Sequence, residues 1–392
     1  MPQSPEVPVN PRVLVWARES DGASLSEVAK RLKITESELR EMEAGERLPK
    51  AKHVRTLATL LHRSLATMLL PEPPLEPELP RELRTPTGAT KSMARHTRQA
   101  IRAAREVQGA IRELSTHTEE LTHLGYEAAE LHSRASTSAA TERERLGLEP
   151  GYQSNARDAK DAVRDSRRVI ESQGIVTLML DLDRKDARGL ALTDVRPYLI
   201  VIGKRDAPVG TLFTLWHEYA HVLLASNGWN AGGRSIASGS VERWCNAFAG
   251  EFLVPKETVS AALLREPDVI QEQRSADAFI QNTASRLRVS AQTVFYRLAG
   301  LDAIPEHVSD KLESIYRARS ASQTPRASST SKELKIPRQV LQRHKYGDLY
   351  PRVVLNAKDA GVVGELDVAD MLGLRVDRHP DLAELVFSRK RA

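Results

Sequence analysis

The sequence predicts a mainly α chain, with an α+β core in its middle and an all-α helix-turn-helix domain at its N-terminus. Three observations predict this. Residues 24–48, SLSEVAKRLKITESELREMEAGERL, hold two short apolar stripes at helical spacing, each preceded by a capping hydroxyl. Residues 211–224, TLFTLWHEYAHVLL, are an apolar run of helical length that contains His217, Glu218 and His221. Residues 241–255, VERWCNAFAGEFLVP, hold Glu242 and Asn246 four apart among Trp244, Phe248, Phe252 and Leu253.

The bulk numbers set bounds. A chain of 392 residues suggests two or three domains and is ample for a sizeable core. Hydrophobic content of 41% and charged content of 28% fit a largely globular chain. A net charge of +5 permits contact with nucleic acid without demanding it. Cys245 is the only cysteine, which excludes an intrachain disulfide and favours a reducing compartment. The opening MPQSPEVPVNPR lacks the apolar core of a secretory signal, and no run is long enough to cross a bilayer. The expected location is the cytoplasm, with no membrane partner.

Taken in order, the first element is the helix-turn-helix. Val13, Val15 and Trp16 suit an opening helix. Ser24 or Ser26 caps a second, whose apolar face is Val28, Ala29 and Leu32. After a break at Lys33-Ile34, Thr35 and Glu38 form a capping box for a third, which Gly45 ends. Val54, Leu57, Ala58 and Leu61 suit a fourth. With the small Ala29, Ile34 after the turn and the tail MEAGERLPK, this stretch resembles the XRE-type helix-turn-helix domains of bacterial regulators over roughly residues 10–70. DNA is the partner that resemblance implies. The third helix is acidic (Glu36, Glu38, Glu41 and Glu43 against Arg40), so protein contact is the alternative.

PEPPLEPELP, residues 71–80, reads as a stiff linker, and SASQTPRASSTSK, residues 320–332, as a flexible one. Between Met93 and Ala140 the pattern is helical, with no proline. Its first half is basic, through Lys91, Arg95, Arg98, Arg102, Arg105 and Arg112. That stripe is read as a solvated face or spacer, with a phosphate- or partner-contacting helix as the alternative.

The chemistry lies in HEYAH. On a helix, His217 and His221 share one face, so both imidazoles reach one metal ion with Glu218 beside it. Zinc suits such ligands, and a catalytic zinc keeps a fourth position for water, whose proton a glutamate can take. Buried His and Glu are costly unless something compensates, and a metal does so. Glu242, from a second helix, can complete a His₂Glu set, and Asn246, one turn on, can orient a ligand. Tyr219 points away from the histidines, His307 is read as a surface residue, and Cys245 as a small buried filler rather than a redox thiol.

HEYAH followed by ERWCNAFAGEFLVP resembles the ImmA/IrrE family of metallo-endopeptidases. That family's second motif has the form E-x-x-A-N-x-F-A-x-x-L-L-x-P. Here Cys245 stands for Ala, Phe252 for one Leu and Val254 for Met. Residues 172–202 look like the family's pair of strands before the catalytic helix. Residues 284–304 look like its downstream helical segment, and residues 345–374 like its C-terminal portion. The resemblance implies a zincin-like core, with His217, His221 and Glu242 as zinc ligands and Glu218 as general base. It also implies a helix-turn-helix repressor as the substrate, whose cleavage derepresses stress-response or mobile-element genes. The alternative is a DNA-binding regulator whose zinc domain senses a ligand or partner without proteolysis.

The expected organisation is a helix-turn-helix domain (1–70), a proline-rich linker (71–90), a helical spacer (91–135), a zincin-like metallopeptidase domain (136–318), a flexible linker (319–333) and a C-terminal helical segment (334–392). Residues 284–304 also carry a second helix–turn–helix rhythm, read as core packing, with nucleic-acid contact as the alternative.

Overall fold

The computed structural model describes residues 4–75, 93–116, 125–225, 238–322 and 336–388. Most of both expected linkers and residues 226–237 lie outside the described residues. The chain divides into two compact units, residues 1–103 and 104–392.

In the first unit, α1 (Pro11–Asp21), α2 (Leu25–Leu32), α3 (Glu36–Ala44), α4 (Ala51–Leu60) and the single turn α5 (Leu65–Met68) enclose an apolar core that includes Leu14, Val28, Leu39, Leu57 and Met68. Local chemistry sets each boundary. Ser24 and Thr35 cap α2 and α3, each in a reciprocal box with the glutamate three residues on. Lys33, at φ 59°, makes the left-handed turn between them, and Gly45, at φ 80°, closes α3. The acidity of α3 is partly absorbed: Glu38 completes its cap and meets Arg47, while Glu43 pairs with Arg18 at 2.7 Å.

The helical stretch read between Met93 and Ala140 is not continuous. α6 (Arg95–Leu114) ends where the Ser115 and Thr116 hydroxyls donate back to the carbonyls of Arg112 and Glu113, and among the described residues 125–134 hold no helix before α7 (Ala135–Arg145). The basic stripe has internal work as well. Within the first unit Arg95 and Arg102 pair with Asp21, which is fully buried, and also donate to the carbonyls of Leu60 and Leu61. These two arginines are therefore engaged in neutralising a buried carboxylate rather than free for phosphate.

The second unit is built on a three-stranded sheet where a pair of strands was expected. β1 (Val176–Leu180) runs parallel to β3 (Leu199–Gly203), and β2 (Gly189–Leu192) pairs antiparallel with the other side of β3. All three strands are buried along their length, so they read as continuous apolar runs rather than alternating ones. α8 (Ala159–Glu171) packs on β1 and on α9 (Pro208–Leu224), which itself lies on β2 and β3. α10 (Ser238–Leu253) packs on both α7 and α9. α11 (Lys256–Leu263), α12 (Gln273–Leu287), α13 (Ala291–Ala299) and α14 (Glu306–Ser322) follow. Ala284, Leu287, Val294 and Leu298 are buried, which makes the second helix–turn–helix rhythm core packing.

The C-terminal segment forms α15 (Arg338–Tyr346), α16 (Leu349–Asp359), α17 (Glu365–Leu372) and α18 (His379–Phe387). It belongs to the same compact unit as the sheet. α15 and α16 pack on β1, and the buried Glu171 accepts hydrogen bonds from the backbone of Asp348 and Leu349.

Candidate metal centre and cleft

α9 has little local support. Its N-cap, Ala207, offers no side-chain bond, and its first turn carries no acid. Packing holds it instead. Trp216 stacks on Phe252 of α10 with ring centroids 3.8 Å apart, and its indole N–H donates to the Tyr152 hydroxyl at 2.9 Å. Tyr219 is buried and donates to Glu142 of α7. It takes no part in the histidine cluster, as the sequence predicts.

The histidines share another face. Nε2 of His217 and Nε2 of His221 are 3.2 Å apart. Glu242, from α10, places one carboxylate oxygen 3.3 Å from the first and the other 3.4 Å from the second. Donors at adjacent corners of a tetrahedral zinc site with bonds of about 2.0–2.1 Å are about 3.3–3.4 Å from one another. The spacing here matches that edge, and two imidazoles with one carboxylate are a donor set zinc takes. Electrostatics agree. Burial works against a charge on His221, yet hydrogen bonds to Cys245 and Glu242 raise its pKa well above the ordinary value. Those to His217 and His221 hold the Glu242 carboxyl well below its own. The pocket attracts positive charge, which a divalent cation supplies.

Glu218 is buried at 5% exposure and lines a cleft of about 800 Å³ together with His217. Its seat depends on β2. A Cβ at Gly189 would lie 2.6 Å from Thr214 Cγ2 and 2.9 Å from both Cγ and Oε1 of Glu218, so only glycine lets the helix approach this closely. Cys245 is fully buried, and burial pushes its thiol pKa up even though His221 hydrogen-bonds to it. Asn246 is exposed and lines the cleft, and among the described residues no hydrogen bond joins it to His217, His221 or Glu242. His307 is exposed and lies outside the cleft.

Other cleft residues carry no sequence signal. Arg188 and Gly189 come from the start of β2, and Tyr296 and Arg297 from α13. Arg297 pairs with the buried Glu251 and donates to the Val254 carbonyl at 3.1 Å. Tyr296 lines the cleft and is 45% exposed.

Residues 170–299 match the family described as IrrE N-terminal-like domain, Peptidase_M78. Residues 13–65 match a helix-turn-helix domain family. No curated protein matches the chain. The chain thus carries a metallopeptidase-family domain of the IrrE type behind a helix-turn-helix domain. Among the described residues no helix is long and apolar enough to cross a membrane.

Proposed function

We propose that the protein is a zinc-dependent endopeptidase of narrow specificity whose substrate is a helix-turn-helix transcriptional repressor. The observation that carries this reading is the His217–His221–Glu242 cluster at tetrahedral spacing, with the buried Glu218 on the same cleft. His217, His221 and Glu242 would hold the ion. When bound, zinc supplies a Lewis acid that polarises the scissile carbonyl and acidifies water. The Glu218 carboxylate takes the proton from the attacking water and passes it to the departing amine nitrogen. Gly189 and Thr214 fix where that carboxylate sits. Arg188, Asn246 and Tyr296 meet the peptide in the cleft.

The repressor substrate follows from the ImmA/IrrE resemblance, and its cleavage would switch on stress-response or mobile-element genes in the cytoplasm. The first unit docks the enzyme, on DNA or on the repressor itself. The second reading is a DNA-binding regulator whose zinc domain senses without cutting, and it draws on the helix-turn-helix match at residues 13–65. One experiment separates them. Wild type and Glu218→Gln are co-expressed with a candidate repressor, zinc is measured, and repressor fragments are scored. The peptidase reading expects zinc in both and fragments with wild type alone. Target-gene output that is the same in both, with no fragments, would favour the regulator.

A further inference from the structure

A second cavity, of about 540 Å³, shares no lining residue with the metal cleft. It lies in the second unit between α8, the loop and first turn leading into α9, and α15. Its size suits a small metabolite. Six of its lining side chains are lysine or arginine and four are aspartate or glutamate, so its walls carry excess positive charge.

Most of those charges are settled within the protein. Arg164 pairs with Asp161 at 2.6 Å, and Arg168 and Arg343 both pair with Asp348. Two cations are not matched in this way. Lys160 has no ion-pair partner among the described residues and is exposed at the cavity. Arg167 is buried, and its hydrogen bonds go to neutral oxygens: the hydroxyl and carbonyl of Thr177 and the carbonyl of His344. The charge of Arg167 is met at one remove by the buried Glu171, to which the Thr177 hydroxyl donates, and by Asp348, so Lys160 is the cation left for whatever enters.

The opposite deficit sits on Asp206. Its side chain is 3% exposed, and one oxygen is held by Arg184 at 3.0 Å. The other, Oδ2, is buried and accepts no hydrogen bond. A buried carboxylate oxygen without a donor is expensive, and native proteins rarely keep one without a reason. Val163, Met179 and Val340 give the cavity apolar surface between these polar groups.

We propose that this cavity binds a small phosphate-bearing molecule that also carries hydroxyl groups. The phosphate meets Lys160, and a hydroxyl donates to Asp206 Oδ2. Phosphate supplies the acceptors that the lysine wants, and a polyol supplies the donor that the carboxylate lacks. The ligand touches Pro208 and Thr211, in the first turn of the helix that carries His217 and His221 further along.

The test is titration calorimetry on the full chain with ribose 5-phosphate as the probe, beside inorganic phosphate and ribose alone. The expected result is saturable binding of ribose 5-phosphate at one site per chain, with ribose alone silent. Lys160→Gln should weaken ribose 5-phosphate and inorganic phosphate alike, by about tenfold or more. Asp206→Asn should weaken ribose 5-phosphate while sparing inorganic phosphate. Thermal melting without ligand checks that both variants fold, and Lys160 is exposed, so its replacement disturbs little packing. No saturable binding of either phosphate compound would overturn the proposal, as would binding that both variants leave unchanged. Equal binding of ribose alone would overturn the phosphate assignment. Because the readout is binding and not cleavage, the result stands apart from the peptidase reading.

Discussion

The helix-turn-helix of the first unit and α9 of the second spend their polar residues in opposite ways. In the first, Ser24, Glu27, Thr35 and Glu38 sit at helix ends and satisfy backbone groups that the helices themselves expose. In the second, α9 has no cap, and its polar residues lie in mid-helix, with His221 and Glu218 buried. The first pattern makes a helix locally stable. The second costs stability locally and is compensated by packing. Between these two elements, the polar residues at helix ends serve the architecture, and the buried ones in mid-helix face the histidine cluster and the cleft.

The largest test of this contrast is chemical. Glu218→Gln should lower cleavage by about 10²–10⁴-fold while zinc content stays near one per chain. His221→Ala should lose the zinc as well, read by elemental analysis. Next comes packing. Trp216→Ala removes the partner of Phe252 and should cost the second unit about 3–5 kcal/mol, seen in chemical denaturation, with the first unit unchanged. Equal losses in both units would break the comparison.

Gly189→Ala is subtler. The added methyl must displace Thr214 or Glu218, costing about 1–3 kcal/mol and reducing cleavage with zinc retained. Full activity in this variant would mean that the Glu218 seat is not set by β2. Thr35→Ala should cost only the first unit, by about 1 kcal/mol, in a melt that leaves the metal centre intact.

The smallest effect is that of acid on the same cap. Backbone hydrogen bonding to Thr35 and the Arg47 ion pair lower the pKa of Glu38 in the folded unit. A lowered folded pKa means stability present above the unfolded value, about 4.3, and lost as pH falls through the folded one. A pH series of melts should show that loss in wild type and a shallower one in Glu38→Gln, which cannot titrate.

What could be read from the sequence follows the same divide. Caps, the Lys33 turn and the Gly45 stop are set by neighbours within a few residues, so the helix-turn-helix was legible element by element. His217 and His221 were legible because four residues make one helical turn, and Glu242 because a second helix carried it. The other wall of the cleft was not. Arg188 and Tyr296 reach it through the packing of distant segments, which leaves no periodic trace. The break after Leu114 was missed because the sequence holds no proline there, whereas the structure ends the helix with the hydroxyls of Ser115 and Thr116. Asn246 was legible by the same rule as the histidines, since four residues separate it from Glu242 on α10. In the structure it is exposed on the cleft, and among the described residues no hydrogen bond joins it to His217, His221 or Glu242.

The ties beneath α9 and α10 bear on how this protein can be taken apart. Glu142 receives the Tyr219 hydroxyl, Arg143 donates to the Glu251 carbonyl at 2.7 Å, and Gln153 donates to the Leu253 carbonyl at 2.6 Å. All three lie upstream of residue 170, where the family match begins. On the other side, Glu171 caps the start of α16, well past residue 299. A fragment trimmed to the matched stretch would strip buried donors and acceptors from both helices that carry His217, His221 and Glu242. An expression fragment meant to keep the centre intact should begin before Ala135 and run through Phe387, and limited digestion of the whole protein should release nothing shorter that still holds zinc.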